Sequence, residues 1–318
     1  MGNESSSSSS SNYSKPKPKP REIKPVQNGK VWLKQEYLPT AARKATGYCH
    51  PQQLQSSAEC ILSTNDRRRR AYSLQIPATD DFKKKVTLDG TRIIVRLKMK
   101  FGDKYYSGTG FLFPQSPKGN NALCVVTAAH NVVQFDPLTK KPFGAVAIWC
   151  NLDGSWVSAS TCAYYPKYEA DHQLGNDVAF IKVTTPQTYK APNVRAMWHG
   201  KRSGKNTFML RNYTIGPSFD DFLVKEALIY GYPGEKNGEL WGMKGQISIA
   251  ADDVFSYSDI DTTGGQSGSP IIGVAQLQDS SSSLTRYVLL GVHTNGGCDK
   301  NYGTMFTWHS LQWIGDAF

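Results

Sequence analysis

Ser267 lies in Asp261-Thr-Thr-Gly-Gly-Gln-Ser-Gly-Ser-Pro270, where glycines on both sides allow a tight turn whose amides aim at one point. A serine hydroxyl is a poor nucleophile by itself. It needs a base to take its proton and backbone N–H donors to hold the oxyanion. The turn meets the second need, and the amides of Gly265 and Ser267 are the expected oxyanion hole. The base is expected at His130, which closes the apolar run Ala122-Leu-Cys-Val-Val-Thr-Ala-Ala-His130. Burial of that run would hold the imidazole rigid at the edge of a core. Asp177 opens another apolar segment, Asp177-Val-Ala-Phe-Ile-Lys-Val183. There its carboxylate can accept the imidazole N–H, select the tautomer and stabilise the imidazolium. Asp171 and His172 are a competing acid and base, but they sit in a polar stretch with no apolar strand behind it.

These side chains must be positioned by strands. Short β-rich runs, among them Ile93–Leu97, Ala145–Trp149, Leu228–Tyr232 and Tyr287–Gly291, recur between Gly, Pro and Asn turns. Helical periodicity is scarce, its clearest stretch being His309–Phe318 at the end. An all-β protein with a C-terminal helix is predicted.

The order His130, Asp177, Ser267 resembles that of the chymotrypsin-like serine proteases. The α/β-hydrolases order their residues Ser, acid, His around Gly-x-Ser-x-Gly, and here Ser269 stands at the last glycine position. From Cys60 to Phe318 the chain is similar to the glutamyl endopeptidases, the V8-like branch of those proteases. The motifs are Ser107-Gly-Thr-Gly-Phe-Leu-Phe113, Thr127-Ala-Ala-His130, Asn176-Asp-Val-Ala179, Gly231-Tyr-Pro-Gly234, Thr262–Pro270 and Gly291-Val-His-Thr-Asn-Gly-Gly297. The resemblance implies two six-stranded antiparallel β-barrels with the site in the cleft between them. The first barrel is expected over 60–190 and the second over 191–318, with the crossing near Pro186–Asn206.

It also implies a substrate pocket. Trypsin-like members carry an aspartate before the nucleophile to receive a new N-terminal ammonium, and here Gln266 stands there. The glutamyl endopeptidases have an amide at this place and use the mature N-terminal amine in the pocket instead. Thr262 and His293 match the pair that binds a substrate glutamate, one by a hydroxyl hydrogen bond and one by a charge-assisted bond. The plain alternative for His293 is a strand histidine bonded to backbone. Asp261 falls where a trypsin-like pocket places its acid, which keeps a preference for basic residues as the second enzyme reading. The run Cys60-Ile-Leu-Ser-Thr-Asn-Asp-Arg67 is similar to the start of mature V8-like enzymes, and Glu59 precedes it. Autocatalytic cutting at Glu59–Cys60, freeing the Cys60 amine for the pocket, is therefore expected. Arg67–Arg70 offers a rival cut for a basic-specific protease.

Residues 1–59 read as a disordered leader or propeptide with no core of its own. Polyserine over 5–11 precedes the stiff basic spacer Lys15-Pro-Lys-Pro-Lys-Pro20. Of the net charge of +11, the leader carries +5, from nine Lys/Arg and four Glu. Neither a secretory signal nor a transmembrane run is seen, although secretion is usual for the family. Met1-Gly2-Asn-Glu-Ser-Ser6 fits the N-myristoylation pattern at Gly2, and the spacer's lysines would add an electrostatic membrane signal. A cytoplasmic or membrane-associated location is expected. Six cysteines show no Cys-x-x-Cys pair. Cys150 and Cys162 flank a hairpin-like segment and are candidates for a cross-strand bridge, and Cys124 reads as a buried thiol. No metal or cofactor motif is present, and no aromatic-interleaved basic patch marks a nucleic-acid binder. The expected partners are peptides with glutamate before the scissile bond, acted on by a monomer. From a different class, the alternative is a non-catalytic membrane-associated module that binds acidic peptides in the cleft.

Overall fold

A computed structural model describes residues 29–36, 38–39, 47–48, 76–77, 90–113, 122–171, 173–185, 189–190, 222–277, 285–297 and 299–316. Its strands run in chain order as β1 (Lys30–Trp32), β2 (Gly47–Tyr48), β3 (Ile76–Pro77), β4 (Ile94–Phe101), β5 (Lys104–Phe113) and β6 (Ala122–Thr127). They continue as β7 (Val133–Phe135), β8 (Pro142–Gly144), β9 (Ala147–Leu152), β10 (Ser155–Tyr164), β11 (Ala179–Thr184) and β12 (Phe222–Gly231). The last are β13 (Trp241–Gln246), β14 (Ser248–Ala251), β15 (Val254–Tyr257), β16 (Pro270–Leu277), β17 (Thr285–Gly296) and β18 (Asn301–Met305). Two helices, α1 (Pro166–Asp171) and α2 (Trp308–Asp316), accompany them.

The first sheet closes on itself. Its order is β10-β11-β6-β5-β4-β9, and β9 pairs back onto β10 to complete six antiparallel strands. Closure is possible because β10 is long and carries a bulge between Ala159 and Thr161. Ser155–Ser158 pair with β9 before the bulge, and Ala159–Tyr164 pair with β11 around and beyond it. Alternation along β4 sends Val95, Leu97, Met99 and Phe101 inward to meet Phe111, Val125, Val126 and Ile181 in one buried cluster. The second sheet runs β14-β15-β18-β17-β16-β12-β13-β3 and curls without closing among the described residues. Its interior holds Ala227, Ile229, Phe255, Tyr257, Ile260, Ile271 and Leu290.

α2 has reciprocal caps: Ser310 N donates to Thr307 Oγ1 at 3.1 Å and Thr307 N to Ser310 Oγ at 3.0 Å. Its Trp313 packs against Tyr165 and Phe180 of the first barrel, so the chain's last helix ties the two halves together.

Two expectations need correction. Cys150 and Cys162 are buried free thiols. Cys150 lies opposite Val157, so Cys162 is offset along β10 from the position a cross-strand bridge would need. Burial pushes both thiols far above the usual cysteine range. The leader boundary at residue 59 is also crossed. Lys30–Trp32 pair with Thr161–Ala163 of β10, and Gly47–Tyr48 pair in parallel with Tyr106–Ser107 of β5. Val31 joins the core of the first barrel. The rest of the crossing expected at 186–206, apart from 189–190, lies outside the described residues.

Candidate active site

His130 sits in a 3₁₀ turn, Ala129–Asn131, directly after β6. Asp177 follows a second such turn, Leu174–Asn176, and precedes β11. Because β6 and β11 are paired neighbours, with Ala179 opposite Thr127, the two turns leave the barrel side by side. Asp177 is fully buried and uses both carboxylate oxygens on one residue. Oδ2 meets His130 Nδ1 at 2.7 Å, and Oδ1 accepts the His130 backbone N–H at 3.0 Å. This fixes ring and main chain together and assigns the proton to Nδ1. On the other side of the ring, Nε2 is buried and has no hydrogen-bond partner among the described residues. A buried imidazole nitrogen without a partner is costly unless a ligand or nucleophile uses it.

Ser267 comes from the loop before β16, in the other sheet, and is tied to the histidine's turn. Its carbonyl accepts from Asn131 Nδ2 and from Thr109 N, each at 2.9 Å. Asn131 directly follows His130, so the serine's loop is tied to the turn that carries the imidazole. Thr109 of β5 holds the loop a second time, donating from Oγ1 to Gly265 O at 2.8 Å and accepting from Tyr232 N at 2.9 Å. Thr127 Oγ1 braces this arrangement by donating to Thr109 O at 2.7 Å and accepting from Asn131 Nδ2 at 2.9 Å. Thr304 of β18 bonds to Leu174 O, and to Asp177 O at 3.3 Å, which locks the acid's turn onto the second sheet.

The loop itself depends on two glycines in left-handed conformations, Gly265 (φ +99°) and Gly268 (φ +91°). A Cβ at Gly265 would lie 2.6 Å from Tyr232 O, and one at Gly268 only 2.0 Å from Thr109 O. Gln266 is fully buried and staples the turn, accepting from Thr263 N at 2.8 Å and donating to Trp241 O at 3.3 Å. The amides of Gly265 and Ser267 have no acceptor among the described residues. Two unspent donors in one turn can stabilise a negative oxygen.

His293 is buried on β17 and bonded to the nucleophile loop through its main chain: its N donates to Ser269 O at 2.8 Å and its O accepts from Gly268 N at 2.8 Å. Its Nδ1 contacts the Tyr257 hydroxyl and lies 3.1 Å from Tyr302 O. The Tyr257 hydroxyl also donates to Tyr302 O at 2.8 Å, so hydroxyl, imidazole and carbonyl form one buried cluster. Asp261 is buried, and Thr262 is half-buried at the start of the loop. Asp171 ends α1, whereas His172, Gly2, Glu59 and Cys60 lie outside the described residues. Asp177, not Asp171, is the acid brought to His130. Sequence reading missed Thr109, Asn131, Tyr257 and Thr304 as positioning groups. Thr109 and Asn131 stand inside or beside quoted motifs, but their partners lie more than 100 residues away.

Over 83 residues the chain is 40% identical to the glutamyl endopeptidase of Bacillus licheniformis. Over that stretch the likeness is to the glutamyl endopeptidases. The matched stretch is 25% of this chain and 25% of that relative. Two solved structures are also similar. The protease Anisep from Arthrobacter nicotinovorans is 17% identical, with TM-score 0.45 over 71% of this chain and 95% of its own. A Glu endopeptidase in complex with MPD is 20% identical, with TM-score 0.45 over 71% and 90%. No protein-family model matches the chain.

Proposed function

We propose that the chain is a serine endopeptidase that cuts after glutamate and gains full activity when its leader is cut. The observation that carries the reading is the buried His130–Asp177 pair, whose unpartnered Nε2 shares its backbone frame with Ser267. Ser267 Oγ attacks the peptide carbonyl while His130 Nε2 takes its proton. The resulting imidazolium is stabilised by the Asp177 carboxylate, and the tetrahedral oxyanion by the amides of Gly265 and Ser267. His130 then protonates the leaving amine, and water attacks the acyl-enzyme by the reverse use of the same base. A scissile bond set between these groups reacts without any cofactor.

The glutamate preference is supported by the likeness to a glutamyl endopeptidase and by the surroundings of His293. Tyr257 and Tyr302 meet the ring at Nδ1 and fix its orientation on β17. Thr262 and the Cys60 amine freed after Glu59 would complete the pocket.

Peptides differing only in Glu, Gln, Asp or Arg before the cut test this reading. Glu should be preferred, and Tyr257→Phe should raise KM for the Glu peptide by up to about tenfold, the value of one hydrogen bond, with kcat little changed. Preference for Arg would instead give Asp261 the specificity role and remove His293 from it.

A further inference from the structure

We propose that the described residues 29–36, 38–39 and 47–48 are a permanent part of the first barrel and hold the segment that carries them to it, as a separate chain, after the leader is cut between residues 49 and 75. This goes beyond the proteolytic reading and holds whichever protease makes the cut.

Three attachments carry the inference. First, β1 completes the wall of the barrel. β9 pairs with β10 only as far as Ser158, and Lys30–Trp32 take up the pairing at Thr161–Ala163, with Tyr164 N donating to Gly29 O at 3.0 Å. Removal would leave this part of β10 with unpaired backbone groups on one edge. Val31 fills the space above Gly144, where even one added Cβ would come within 2.3 Å of it. Second, the chain beyond β1 lies against the β9 and β4 side of the barrel. Lys34 N donates to Val146 O at 2.8 Å, Trp149 Nε1 donates to Glu36 O at 2.6 Å, and Lys100 pairs with Glu36 at 3.5 Å. Leu38 packs on Trp149 and Ala147, and Trp149 is wholly buried there. Third, β2 pairs with the part of β5, Tyr106–Ser107, that β6 does not reach.

The outer face under this segment is not built for water. Lys98 of β4, opposite Trp149 in the register, points outward yet has no exposure and donates to Ser107 Oγ at 2.5 Å. Burial, with Arg96 as a lesser cause, pulls its pKa down to about 8. A detachable propeptide would instead cover a face able to stand in solvent. Any anchor carried before Gly29 would therefore remain with the protease after processing, and cutting would create a new N-terminus without freeing the enzyme.

The test uses the full chain carrying Ser267→Ala and a foreign protease recognition sequence inserted after Glu59, so neither activity nor specificity of the chain enters. After cutting, both fragments should co-elute in native gel filtration and separate only in denaturant. Val31→Asp, and separately the milder Leu38→Ser, should each increase loss of the short fragment. Elution of that fragment apart from the long one, whether or not the long one stays folded, overturns the proposal. Equal retention in both variants overturns the assigned contact.

Discussion

Asp177→Asn is expected to lower kcat by about 10⁴-fold while the protein stays folded and binds peptide substrates with little change. The reason lies in the division of labour between the two oxygens. Oδ1 holds the His130 backbone N–H at 3.0 Å and Oδ2 faces Nδ1 at 2.7 Å. An asparagine that keeps its oxygen on the backbone must turn its NH₂ toward Nδ1. Two donors then meet unless the ring moves its proton to Nε2, and a protonated neutral Nε2 cannot take a proton from Ser267. The measurement is kcat and KM beside a thermal melt. Loss confined to kcat supports the tautomer argument, while kcat within tenfold of the parent would show that Asp177 does not set the ring's state.

Gly268→Ala is the second change expected to act strongly, and it acts through shape. At φ +91° an L-residue is strained by about 1–3 kcal/mol before any contact is counted. The new Cβ would also lie 2.0 Å from Thr109 O and 2.2 Å from Thr127 Oγ1, both on the rigid first barrel. The barrel cannot yield cheaply, so the loop must move. It takes with it Ser267 and the Gly265 and Ser267 amides, and displacement of about 1 Å costs on the order of 10²-fold in rate. Stability should fall by about 2 kcal/mol or more, with kcat falling at least 10²-fold in the protein that remains folded. Parental kcat and melting temperature would mean the loop relaxes freely and that Gly268 is not needed for its geometry.

The residues proposed for the chemistry are marked by local pattern in the sequence. His130 ends an apolar strand, Asp177 begins another, and Ser267 lies between glycines. Each is marked by neighbours within a few positions, and the family order joins them. The strands expected around residues 93–97, 145–149, 228–232 and 287–291 are the β4, β9, β12 and β17 of the structure. What stayed hidden depends on contacts made only in three dimensions. Thr109 looks like one more threonine in a strand until Ser267, Gly265 and Tyr232 arrive from the other sheet. Lys30–Trp32 is too short to announce a strand and follows a low-complexity spacer, yet the bulge in β10 leaves a gap of its length. Cys150 and Cys162 look well spaced for a bridge only when the β9–β10 register is unknown. The second sheet, expected as a closed six-stranded barrel, curls open among the described residues and gains β14 and β3 at its edges.

The central claim is that Ser267 is a nucleophile activated by His130. Its most direct test is covalent labelling by a fluorophosphonate, using the chain cut after Glu59 alongside its Ser267→Ala and His130→Ala variants. The account predicts one stoichiometric adduct, mapped by mass spectrometry to Ser267, absent in Ser267→Ala and strongly slowed in His130→Ala. A folded, cut chain that takes no label, or takes it equally in Ser267→Ala, would contradict the account and leave the cleft as a binding site for peptides.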